Sequence, residues 1–205
     1  MARRTKQDAL ATREALLDAA ERVFLRCGVS RTSLANIAQA AGVTRGALYW
    51  HFKDKAAVLN AVMDRVALPL NAEIERILEQ PGDPLQAWCE HLLQVLHLIV
   101  DDDQVRRVLQ IAMQKVEHAE ELGPVIDRHI EMHRLNTDFE CQVFERAATA
   151  RGCTLPAPVE QLAHGFHAMI NGLIYSWLLD QCFDLPATGE VSMHAYLRGI
   201  GLHTI

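Results

Sequence analysis

The chain lacks the features that mark a membrane or secreted protein. Its longest apolar runs, near 92–100 and 173–179, fall well short of the roughly 18–20 residues that a span requires. The opening MARRTKQDAL has no apolar core of the signal-peptide kind, so the expected location is the cytoplasm. Five cysteines (Cys27, Cys89, Cys141, Cys153 and Cys182) are scattered and form no CxxC pair. That pattern predicts reduced thiols and gives no disulfide framework or zinc ribbon. Catalytic signatures are missing too: there is no nucleophile elbow, no glycine loop to cradle phosphate and no HExxH. We therefore expect no catalytic residue and no cofactor. Among ten histidines, His129/His133 are four apart and His164/His167 three apart. Metal sites use such spacings but need a third ligand, and no Cys or carboxylate pattern supplies one, so no metal is expected.

Alternating strand patterns are also missing. Gly and Pro instead divide the chain into about nine helical segments. The first, about 9–27, repeats Leu16, Leu17, Ala20, Val23, Phe24 and Cys27 at three and four, and Gly28 ends it. Two short segments follow at 33–41 and 44–52, then a long one from Asp54 to about 80. Asp83 is the expected cap of the next, with Pro84 at its first position and its end near 100. Later segments are expected at 103–118, 124–151, 158–181 and 190–203. The fold class is all-α. Pro69 interrupts the long segment at its middle, where a kink or short break, and a candidate hinge, is expected near 66–69.

Charge is divided unevenly. Residues 1–55 carry ten Lys+Arg against five Asp+Glu, whereas the remaining 150 carry ten against 21. A basic head on an acidic body suits a polyanion met by the head alone.

The head also holds the most specific motif, TSLANIAQAAGVTRGALYWHFKDK over 32–55. Ser33 caps a first short helix whose alanines allow close approach. Gly42 supplies a left-handed turn, and Thr44 caps a second helix. This is the pattern of a helix-turn-helix, with a second helix of a length suited to the major groove. Ala47, Leu48 and Phe52 face the core, leaving Thr44, Arg45, Gly46, Tyr49 and Trp50 outside. Arg45 reaches a guanine edge or a phosphate, Gly46 permits close approach, and Tyr49, His51 and Lys55 donate to phosphate. A solvated surface helix is the competing reading of the same spacing.

Together with 16–24 and the opening RRTK, this run resembles the DNA-binding domain of the TetR family of repressors. It is similar above all to the AcrR-like branch, which controls multidrug efflux pumps. GDPL at 82–85, Arg106–Arg107 and INGLIYSWLL at 170–179 extend the likeness more loosely. The stretch QIAMQKVEHAEE at 110–121 departs from it, where branch members carry a polar run with His and Cys.

The resemblance implies a three-helix DNA-binding domain at 1–55 and a larger ligand-binding and dimerisation domain at 56–205. It implies a homodimer that reads a palindromic operator and releases it on binding a small apolar or amphipathic effector. Pocket positions carried over are Trp88, Leu92 and Val95; Leu109 and Met113; His133 and Asn136; and His167, Ile170 and Ile174. The C-terminal helices of such dimers pack as a four-helix bundle. Leu162, Phe166, Met169, Leu173 and Trp177, with Tyr196, Leu197 and Ile200, supply apolar surface for it. The alternative is a helical enzyme or metal-binding protein that carries a helix-turn-helix-like corner.

Overall fold

The computed structural model of the chain describes residues 6–116 and 122–203, and for 68–72 and 75 the backbone alone. Among the described residues there are nine α-helices and no strand: α1 (Lys6–Cys27), α2 (Leu34–Ala40), α3 (Arg45–His51), α4 (Lys55–Glu79), α5 (Leu85–Asp101), α6 (Asp103–Gln114), α7 (Gly123–Arg151), α8 (Val159–Asp180) and α9 (Leu185–Gly199). The all-α expectation holds. None of these helices is long and apolar enough to cross a membrane.

Several boundaries differ from those read in the sequence. Helix α1 begins three residues earlier. Pro84, not Asp83, stands at the N-cap of α5, although the Asp83 carboxylate still accepts from Leu85 N at 2.9 Å. Helix α6 ends at Gln114, short of 118, and 117–121 of the departing stretch lie outside the described residues. So do Arg3, Arg4 and Thr5 of the opening. Helix α9 starts five residues early, because Asp184 accepts from Ala187 N at 2.9 Å and Pro186 sits in its first turn. Helix α4 runs unbroken through Pro69, so the break expected there is not found.

The chain divides into two compact units, and the divisions fall inside helices. One unit comprises residues up to Ala67 together with Arg107–Arg128; the other comprises Leu68–Arg106 and His129 onward.

In the first unit, α1 turns Leu16, Leu17, Ala20 and Phe24 fully inward, the face that its three-and-four spacing dictates. Ile37 of α2, Leu48 of α3 and Leu59 of α4 are equally buried. Truncating any of these Leu or Ile side chains to Ala would cost about 2–5 kcal/mol. Charged groups hold the outer layers. Arg65 of α4 bonds Asp18 at 2.8 Å and Glu21 at 2.6 Å on α1, and Arg128 of α7 pairs with Asp64 of α4. The loop after α1 joins the end of α6 through Val29 N to Lys115 O at 3.1 Å.

In the second unit, Phe166 of α8 lies fully buried between Phe144 of α7 and Tyr196 of α9, edge to face with both at 5.5 and 5.6 Å. Helices α5 and α9 approach closely at Gly189, where a Cβ would overlap the Leu96 side chain. Arg146 of α7 donates to the carbonyls of Leu78, Gln80 and Gly82, closing the end of α4 with a cation where the helix dipole favours one.

Candidate nucleic-acid interface

The helix-turn-helix forms because its corner satisfies its own backbone. Gly42 adopts φ +68°, Gly42 N donates to Gln39 O at 3.1 Å and Val43 N to Ala38 O at 3.0 Å. This paired pattern ends α2 and reverses the chain in two residues. Ser33 and Asn36 cap the start of α2 reciprocally: Asn36 N donates to Ser33 Oγ and Ser33 N to Asn36 Oδ1. Thr44 accepts from Ala47 N at 3.2 Å and starts α3. Leu48 and Phe52 face inward, so α3 is anchored along one side and free along the other.

Two surface grooves flank α3, and the expected DNA contacts divide between them. The first, of about 570 Å³, brings together Ser33, Arg45, Tyr49 and Lys55, with Arg31, Lys53 and Asp54 beside them. The second, of about 660 Å³, is lined by Thr44, Gly46, Ala47, Trp50 and His51, with Lys6 and Ala9 of α1 opposite. The split follows from helical spacing, since Arg45/Tyr49 and Gly46/Trp50 are each four apart. Tyr49 is 59% exposed and Trp50 72%, unusual for aromatics in a folded domain. His51 is half-buried with its ring edge-on to Trp50 at 4.6 Å. Lys55 is half-buried and donates to Ser30 O at 3.1 Å. Arg31, Lys53 and Lys6 were not among the DNA contacts expected from the sequence, where their charge was visible but their position was not.

The pocket positions are less uniformly placed. Leu109 and Met113 belong to the first unit, the other eight to the second. Trp88, Leu92, Ile170 and Ile174 are buried, Val95, Asn136 and His167 half-buried, and His133 exposed. Trp88 packs edge-on against Phe139 at 4.8 Å, and the rings of His133 and His167 lie 4.7 Å apart. Glu140, one helical turn beyond Asn136, was not expected to matter. It is buried, its Oε1 lies 3.3 Å from His167 Nδ1, and its Oε2 meets no hydrogen-bond partner among the described residues. Burial raises its pKa, opposed by His167. The pKa of the largely exposed His133 is lowered by slight desolvation and then by the charges of His167, His164 and His129.

Burial divides the apolar positions expected at the dimer contact. Leu162, Phe166, Trp177, Leu197 and Ile200 are buried within the subunit, and Met169, Leu173 and Tyr196 are half-buried. The outward face of α8 instead carries Ala168, Gly172, Tyr175 and Leu179, and that of α9 carries Ala187, Val191 and Ala195. Leu179 is 62% and Val191 69% exposed.

With this geometry in hand, comparison with known proteins is decisive. Residues 16–62 match the bacterial regulatory proteins of the tetR family, and 83–201 match the C-terminal region of MAATS-type transcriptional repressors. The chain belongs to the TetR family of transcriptional regulators. It is 36% identical over 187 residues to the HTH-type transcriptional regulator AcrR of Shigella flexneri, covering 90% of this chain and 87% of that protein. The crystal structure of NalD, the secondary repressor of the MexAB-OprM multidrug efflux pump in Pseudomonas aeruginosa, superposes with a TM-score of 0.85 at 36% identity, covering 95% and 98% of the two chains. SmeT, which represses the SmeDEF multidrug efflux pump of Stenotrophomonas maltophilia, is known in complex with triclosan. That complex superposes at 0.81 with 29% identity over 92% of this chain and 91% of SmeT. The alternative of a helical enzyme or metal-binding protein is not favoured.

Proposed function

We propose that this chain is a cytoplasmic, homodimeric repressor of a multidrug efflux operon, released from a palindromic operator by apolar or amphipathic small molecules. The observation that carries the reading is α3, a short helix anchored by Leu48 that turns Arg45, Tyr49 and Trp50 to solvent. Similarity to efflux repressors over nine-tenths of the chain supports it. In this reading Arg45 contacts a guanine edge or a phosphate. Ser33, Tyr49, His51 and Lys55 add backbone contacts, and residues 1–55 form the DNA-binding domain.

The effector site is assigned to the second unit, around Trp88, Leu92, His167, Ile170 and Ile174. There an apolar wall with a few polar groups suits bulky ligands. Dimerisation is assigned to the outward faces of α8 and α9, whose small and apolar side chains stay exposed among the described residues. Release requires an effector that prefers the dimer geometry unable to bind DNA, since equal affinity for both shifts nothing. The test is retardation of a DNA fragment from upstream of the protein's own gene, followed by titration with triclosan. Retardation reversed by ligand supports the reading; no retardation of any flanking fragment contradicts it.

A further inference from the structure

The second groove beside α3 has a chemistry unlike the first. Gly46 and Ala47 of α3 and Ala9 of α1 line it, and the exposed indole of Trp50 walls it. The hydroxyl of Thr44 there is engaged as the cap of α3. Lys6 contributes a cation.

Gly46 is not required by the fold. It sits in the first turn of α3 at negative φ, and the nearest atom to a Cβ built on it is Thr44 Oγ1 at an ordinary 3.9 Å. Glycine in a helix weakens it relative to alanine, so an uncrowded glycine here points to something outside the subunit that must come close. Trp50, four residues on, shares its face of the helix. An apolar notch on a surface that enters the major groove has one complement on the base edges, because the thymine 5-methyl is the only apolar group presented there.

We propose that the notch formed by Gly46 and Trp50 receives a thymine methyl in each operator half-site, with Lys6 beside it on a phosphate. This rests on the DNA-binding reading above and assigns part of its sequence preference to an apolar contact.

The test replaces each operator dT in turn by dU, which removes only the methyl. For the unaltered protein, a dU in one half-site should weaken binding about four-fold, the scale of one buried methyl, and a dU in both about sixteen-fold. In Trp50→Ala the same substitution should have no effect. Gly46→Ala should raise Tm while weakening binding to the thymine duplex, a split that a structural role for Gly46 would not give. A second readout avoids variants. Trp88 and Trp177 are buried, so Trp50 is the one exposed tryptophan, and operator binding should shield it from iodide quenching. Tight binding with no dU-sensitive position, or a dU penalty that persists in Trp50→Ala, overturns the notch alone. Failure to bind the unmodified duplex overturns the DNA-binding reading as well.

Discussion

Arg65 and Glu21 meet at 2.6 Å between α4 and α1, with Glu21 only 2% exposed. The same guanidinium reaches Asp18 and Glu14, and Arg107 of α6 approaches the far oxygen of Glu21 at 3.8 Å. A buried carboxylate shared by two arginines ties α4 and α6 to the helix behind the DNA-reading pair. Removing Arg65 takes away the nearer cation and leaves the buried carboxylate poorly compensated by Arg107 at 3.8 Å. Arg65→Ala should therefore destabilise the protein by about 3–5 kcal/mol in urea unfolding. A loss below about 1 kcal/mol would mean that water already solvates Glu21.

Arg45 carries the clearest prediction for DNA. Arg45→Ala should cost about 1–3 kcal/mol and relax preference at one operator position if it reads a base. Lys53→Ala, in the same groove, should weaken all sequences alike and reduce the salt slope by about one. Unchanged affinity for Arg45→Ala and Tyr49→Phe together would remove the first groove from the interface.

The exposed faces of α8 and α9 predict the effect of charge. Leu179→Glu and Val191→Glu alter side chains that are 62% and 69% exposed, so the subunit should stay folded. Both should shift sedimentation toward monomer at micromolar concentration, and both should weaken operator binding. A dimer unaffected by either places the contact elsewhere.

Histidine burial sets a pH dependence. His91 lies buried against Trp88, their rings 5.7 Å apart, and burial holds its pKa below the usual value. A pKa lower in the folded than in the unfolded state gives stability that is present above about pH 6.5 and lost as pH falls through the folded value. Unfolding free energy should drop between pH 7.5 and 5.5, and His91→Leu should lessen that drop. An equal drop in the variant would assign the effect to other groups.

Much of this was legible in the sequence, and the exceptions have physical causes. The corner from Ser33 to Phe52 was readable because caps, the Gly42 turn and the small-residue face are local signals that agree. The start of α9 rests on an equally local signal, Asp184 with Pro186, which lies ahead of the apolar pattern from Glu190 onward. The outward faces of α8 and α9 were less legible for a different reason. Helices α8 and α9 are apolar on two sides, and periodicity alone does not say which side meets the subunit's own core. Phe166 and Trp177 look like surface to spare until Phe144 and Tyr196 are placed around Phe166. Gly165 shows what long-range packing adds: a Cβ there would fall 2.6 Å from the Tyr196 hydroxyl, which bonds Leu162 O. Glu140 gave no signal at all, since only burial separates it from any other helical glutamate.

The central claim is that the face of α3 binds a specific duplex, and fluorescence anisotropy of the full chain on labelled DNA from upstream of its own gene tests it most directly. The account predicts a saturable complex that footprints as a palindrome, with half-site centres about 34–36 Å or a multiple apart. Its affinity should fall steeply between 50 and 200 mM salt as phosphate counterions are released, and it should exceed binding to a scrambled duplex at least about 10³-fold. Equal affinity for the upstream and scrambled duplexes at every salt concentration would contradict it.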